Sequence, residues 1–99
     1  MKSSPVTTSE GFTSFRGYVR ATMRELQTAF GEPTFFYPGD KVTVEWRVRF
    51  ENGTFATIYD YKRYDDGVPD MDEVYEYHVG GANDNSLILV LDAVMKVQG

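Results

Sequence analysis

The chain reads as an α+β protein: an antiparallel sheet built on a central hairpin, element order β-α-β-β-β-α, with both helices on one face. Three observations predict it. Val42, Val44, Trp46, Val48 and Phe50 alternate with Lys41, Thr43, Glu45, Arg47 and Arg49, and an apolar side chain at every second position marks a strand with one buried face. Asn52-Gly53 follows as a tight-turn pair, and residues 54–61 resume as a second β-rich run. Thr22 with Glu25 three residues later forms a capping box, and Gly31 with Pro33 supplies the matching stop.

Taken in order, residues 1–10 are small and polar, with Pro5 and a Ser/Thr cluster, and read as a mobile lead-in to one domain over 11–99. Phe12, Phe15, Val19, Met23, Leu26 and Phe30 fit a helical stripe, but Gly17 and the aromatics resist an unbroken helix. The capping box therefore divides the stretch into a strand at about 12–20 and a helix at 22–30. Residues 34–40, with Phe35, Phe36 and Tyr37 in succession, form a loop. Such a loop ordinarily lies down on the core, and the rarer alternative is an exposed stacking platform.

Two hairpin registers are open. A type I′ turn sets Phe50 opposite Phe55 and Trp46 opposite Tyr59. A G1 bulge instead brings Ala56 and Ile58 into the core with Trp46 and Val48, moves Tyr59 and Tyr61 beside Arg47 and Glu45, and turns Asp60 inward. The bulge is preferred because it buries Ile58. The acidic stretch after residue 63 is a loop by its Gly, Pro and Asp content. Residues 74–79 are the last strand, with Tyr75, Tyr77 and Val79 on one face and Glu76 and His78 on the other, ended by Gly80-Gly81. Asn83 or Asn85 caps a final helix carrying Leu87, Ile88, Leu91, Val94 and Met95 as its apolar stripe, with Asp84 at its positive end.

The 99 residues suffice for one core, and 15% aromatic content suits a ringed core or a stacking surface. Without cysteine there is no disulfide framework, no thiolate chemistry and no Cys-based zinc site. No apolar run reaches membrane-span length and Met-Lys-Ser-Ser-Pro lacks a signal-peptide core, so a soluble, cytosolic protein is expected. The net charge of −5 resides after residue 63, where Lys96 alone faces Asp65, Asp66, Asp70, Asp72, Glu73, Glu76, Asp84 and Asp92. That balance argues against direct nucleic-acid binding, which needs clustered Lys and Arg. It allows nucleic-acid mimicry or a basic partner.

Few constellations carry chemistry. The acids of residues 65–72 do not reproduce a calcium loop, so no metal and no cofactor is expected. His78 is the single histidine; it lies on the sheet face where Glu45, Arg47, Glu76 and Lys62 can converge, as a polar-ligand site or as an ordinary ion-paired surface. A His78 acid/base enzyme paired with Glu45 or Glu76 is one alternative. Gly80-Gly81 is a plain strand-to-helix turn, or a weak anion site.

Phe30-Gly31-Glu32-Pro33, Asp40-Lys41, Glu45-Trp46, Asn52-Gly53-Thr54, Ile58-Tyr59-Asp60-Tyr61-Lys62 and His78-Val79-Gly80-Gly81 together resemble a group of small accessory proteins common in tailed-bacteriophage genomes. The resemblance spans roughly residues 12–95 and implies origin more than activity: a non-enzymatic protein of the host cytoplasm that binds and occludes a host or anti-phage defence protein. The surface expected to meet that partner is acidic, with Asp65, Asp66, Asp70 and Asp72. A further alternative is a sponge for a nucleotide-like defence signal, with Glu45, Arg47, Arg49, Lys62 and His78 as ligand-binding residues. Stacking aromatics would then include Phe35–Phe36, Tyr37, Tyr59 and Tyr61, in a pocket more easily built by a homo-oligomer.

Overall fold

A computed structural model of the chain describes residues 2–7, 13–63 and 70–99. Six strands and two helices follow in the order β1 (Ser3–Pro5), β2 (Ser14–Ala21), α1 (Met23–Phe30), β3 (Phe35–Phe36), β4 (Val44–Phe50), β5 (Phe55–Tyr59), β6 (Tyr75–Gly81) and α2 (Asp84–Gln98). The fold is α+β, and all its strand pairings are antiparallel. Across the sheet the order is β1-β4-β5-β6-β2, with β3 also on β4. The observed order differs from the expected β-α-β-β-β-α by two further strands, β1 and β3.

Those two additions have one cause. β4 would otherwise expose an outer row of unpaired amides and carbonyls. Ser3–Pro5 cover its far half, from Phe50 to Val48, and Phe35–Phe36 cover Glu45 and Val44. Between them the Val6 amide donates to the Arg47 carbonyl (2.9 Å) and the Arg47 amide donates to Thr34 Oγ1 (2.9 Å). The start of the expected lead-in and of the expected aromatic loop are therefore strand. Phe35 is half-buried, while Phe36 and Tyr37 are exposed.

The hairpin adopts the bulged register. Trp46 faces Ile58 and Val48 faces Ala56. The Phe50 amide donates to the Thr54 carbonyl (2.8 Å), and Gly53 takes φ 88°, the left-handed conformation that the third loop residue of this turn needs. Asp60 is turned inward and wholly buried; its Oδ1 accepts from the Thr43 amide (2.7 Å) and the Val44 amide (3.1 Å).

One face of the sheet forms the core. Val44, Trp46, Val48, Phe50, Ile58, Tyr77 and Val79 pack there against Met23, Leu26 and Phe30 of α1 and Val90 and Val94 of α2. Trp46 meets Tyr77 edge to face, at 6.0 Å between ring centroids, and its indole Nε1 donates to the Gly31 carbonyl (2.9 Å). α1 starts at the predicted capping box, Thr22 accepting from the Glu25 amide and Glu25 from the Thr22 amide, and stops at Gly31 with φ 84°.

Two expectations near the C-terminus change. Gly80 and Gly81 do not end the last strand; they belong to β6, paired with Thr57 and Ala56 on one side and with Phe15 and Ser14 on the other. They are glycine because of close approach: a Cβ on Gly81 would lie 2.0 Å from Ser86 Oγ, and one on Gly80 would lie 2.7 Å from Thr57 Oγ1. Their place in the ladder removes the anion-turn reading. The buried row of α2 is also rotated from the predicted stripe, to Ser86, Val90 and Val94, leaving Ile88 59% and Met95 67% exposed. Ser86 sets that rotation, since its hydroxyl donates to the buried Phe55 carbonyl (2.7 Å) directly over Gly81. Asn83, not Asn85, is the cap.

Candidate functional site: the open face of the sheet

Strand parity puts the second face of the sheet away from both helices. Register builds a row across four strands on it: Glu45 of β4, Tyr59 of β5, His78 of β6 and Tyr18 of β2. The next row is Arg47, Thr57, Gly80 and Phe15. β2 reaches this register through a bulge between Phe15 and Gly17, which lets Phe15 join Tyr18 on one face.

The result is a ring of aromatics around one imidazole. His78 lies 5.3 Å from Phe15, 5.0 Å from Tyr18, 5.3 Å from Tyr59 and 5.4 Å from Tyr61, stacked on Tyr59 and tilted or edge-on to the others. Phe15 and Tyr18 are each 48% exposed and Tyr61 is 40% exposed. His78 Nδ1 is buried without a hydrogen-bond partner among the described residues. Burial, and then the nearby Glu45 carboxylate, push the Tyr59 hydroxyl above its ordinary pKa, so it remains a neutral donor at physiological pH.

Beside the ring the face is polar. Arg47 Nε donates to Glu45 Oε2, and its guanidinium covers the Phe35 ring at 4.6 Å. Phe35 in turn stacks on Tyr37, with centroids 6.0 Å apart. Between Arg47 and Phe15 lies a hollow of about 260 Å³ floored by Thr57 and Gly80 and walled by Ser14, Glu45 and Tyr59. The Gly80 position keeps its floor low, because a side chain there would strike Thr57.

The predicted ligand-binding residues are thus partly brought together. Glu45, Arg47 and His78 share the open face. Lys62 borders it through Tyr61, its Nζ 5.2 Å from that ring centre. Arg49 lies further along β4, beside a separate depression with Lys2, Ser4 and Glu51. No hydrogen bond or ion pair joins His78 to Glu45 or Glu76 among the described residues; its neighbours are rings, which leaves the acid/base reading without its dyad.

The predicted acidic surface is divided. Asp65 and Asp66 lie outside the described residues. Asp70 accepts from the Asp72 amide (2.8 Å), and Asp72 is bound to Arg24 (2.8 Å), whose hydrogen bond holds its carboxyl below the usual range. Among the described residues no group of three or more His, Asp or Glu is placed to hold a metal, and no helix is long and apolar enough to cross a membrane. Sequence reasoning missed Phe15 and Tyr18: alternation within residues 14–21 assigns them a face, but only pairing with β6, some sixty residues away, places them on His78.

Fold and site together define a small α+β protein whose sheet, among the described residues, has one helix-covered and one uncovered face. Compared with known protein families, curated protein sequences and solved structures, the chain has no match.

Proposed function

We propose that the chain is a non-enzymatic binding protein that occludes a partner protein through the uncovered face of its sheet. The observation that carries this reading is the exposure of Phe15, Tyr18 and Tyr61 together around His78. Large aromatic side chains clustered on a rigid surface are the usual anchors of protein interfaces, and an exposed group of them marks a contact surface. The Arg47–Glu45 pair and the hollow beside it supply polar contacts that orient the partner. The resemblance to phage accessory proteins supports a host or anti-phage defence protein as that partner, met in the host cytoplasm.

The test is a phage challenge of bacteria that carry defined defence systems, with and without the chain. Wild-type protein is expected to restore plaques against at least one system and to co-purify with a component of it. Phe15→Ser with Tyr61→Ser, which alters only half-exposed rings, is expected to lose both effects. Changing Asp65, Asp66, Asp70 and Asp72 to Asn is expected to spare them. Loss of activity in the Asn variant with retention in the aromatic variant would transfer the interface to the acidic stretch.

A second reading, sequestration of a nucleotide-derived signal, is supported by the polar hollow beside Arg47. Its volume of about 260 Å³ is small beside typical ligand pockets of roughly 300–1,000 Å³. Thermal shift with cyclic and linear nucleotides, repeated on Arg47→Ala, tests it; no shift with any of them removes it.

A further inference from the structure

The two edges of the sheet are finished differently. The β4 edge is covered along its length by β1, Val6, Thr34 and β3. β2 is the terminal strand at the other side, eight residues long. The Gln98 side-chain amide donates to the Arg20 carbonyl there (2.9 Å). That bond comes from outside the sheet, so Arg20, and Tyr18 two residues earlier, turn their N–H and C=O groups away from β6. By that parity the Tyr18 main-chain groups point to the outer side of β2, the terminal strand.

An apolar strip accompanies this edge in the helix layer. Leu87 lies over Gly17, where an added Cβ would come within 2.8 Å of it, and Gln98 lies over Arg20, so α2 runs alongside β2. The helical period then places Leu91 and Met95 on the same flank, with Ile88 adjoining them. Leu91 is half-buried, and Ile88 and Met95 are the most exposed large apolar side chains of the helix. Whatever pairs with β2 must therefore also bring an apolar surface in the layer above its own strand. A strand backed by an apolar helix flank meets both needs, and this chain carries one.

We infer that the β2 edge and the α2 flank form a two-fold interface with a second copy of the chain, joining two sheets into one. With the two β2 strands antiparallel and the axis beside Val19, Tyr18 stands opposite the partner's Arg20, and Arg20 opposite the partner's Tyr18. Each such pair exchanges two main-chain hydrogen bonds, the guanidinium lies against a tyrosine ring, and Gln98 gives up the Arg20 carbonyl. An axis at Tyr18 would instead set Arg16 opposite the partner's Arg20, two like charges face to face. The axis beside Val19 also brings the two Ile88-Leu91-Met95 flanks together, as an isologous contact requires.

Sedimentation velocity on the purified chain, with circular dichroism as a folding control, tests this. Wild type is expected to dimerise in the micromolar range. Tyr18→Lys opposes the partner's Arg20 twice across the axis and is expected to weaken the dimer about tenfold or more. Adding Arg20→Glu to Tyr18→Lys makes the crossing pair opposite in charge and is expected to restore it. Met95→Lys, at an exposed helix position that does not depend on the strand, is expected to weaken the dimer as well. A wild-type protein that stays monomeric at hundreds of micromolar overturns the inference, as does a folded Tyr18→Lys or Met95→Lys protein that dimerises like wild type. So does a wild-type monomer that takes up an extended strand of another protein at β2 instead.

Discussion

Replacing Gly81 by alanine would set a methyl group against the residue that fixes α2 on the sheet. The added Cβ would lie 2.0 Å from Ser86 Oγ, 2.3 Å from Ser86 Cβ and 3.2 Å from the Phe55 carbonyl oxygen. Rotating the serine hydroxyl away cannot relieve it, because Ser86 Cβ itself is in the way; the first turn of α2 must lift. Overpacking of this kind costs about 1–3 kcal/mol. Lifting also breaks the buried bond from Ser86 to the Phe55 carbonyl and leaves that acceptor unpaired, a further ~1–3 kcal/mol. Gly81→Ala is thus expected to lose about 3–4 kcal/mol, a large share of the roughly 5–15 kcal/mol that holds a domain together.

Ser86→Gly alone loses the same hydrogen bond and adds helix-backbone entropy, about 2–3 kcal/mol in all. In the double variant the clash is gone and the bond is lost only once. Its cost is expected to be about 2 kcal/mol or more below the sum of the two singles. Urea unfolding followed by fluorescence of Trp46, which is wholly buried against Tyr77, reads all four proteins. Additivity within about 0.5 kcal/mol would refute the contact, since independent sites add to that tolerance. So would a Gly81→Ala protein as stable as wild type.

Three further outcomes are expected. Asp60→Ala strands the buried Thr43 and Val44 amides and is expected to cost at least about 3 kcal/mol in urea unfolding; retention of wild-type stability would show those amides satisfied in another way. Burial pushes the Tyr77 hydroxyl up to about 12; because its folded pKa lies above the unfolded value near 10, its contribution is complete below pH 10 and is lost as pH rises toward 12. At about 1.4 kcal/mol per pH unit that loss totals roughly 2–3 kcal/mol, and Tyr77→Phe is expected to flatten the alkaline limb of a stability-versus-pH curve. Gly80→Ala strikes the movable Thr57 hydroxyl at 2.7 Å on the open face and meets the Ser14 carbonyl oxygen at an ordinary 3.4 Å; melting temperature is expected to fall less than for Gly81→Ala, and an equal fall would contradict the different roles of the two glycines.

Much of this architecture is legible in local sequence. The bulged register follows from the need to bury Ile58, and the inward Asp60 follows from the register. Thr22, Glu25 and Gly31 state the bounds of α1 because caps satisfy backbone groups within a few residues. Tyr77 and His78 divide onto opposite faces by alternation alone. What is illegible depends on neighbours distant in the chain. Ser3–Pro5 carries no apolar alternation and is strand only because β4 has an edge to cover. Gly80 and Gly81 have the look of a turn until Thr57 and Ser86 are seen to crowd them. The five-ring cluster is illegible for the same reason: Phe15 and Tyr18 owe their place on His78 to the pairing of β2 with β6, distant in the chain.

That pairing has a consequence for synthesis. β2 is made early, yet its partner β6 is complete only at Gly81, and nothing nearer in the sheet order lies beside it. Contacts of such long sequence separation are slow to form, because the loop between them must close first. The meander of β4, β5 and β6 can assemble from neighbouring segments, but β2 and α1 must wait beside it. On a translating ribosome, Val19 and Ala21 therefore remain unburied until β6 has emerged, and the arrival of that distant strand is the step that closes the sheet.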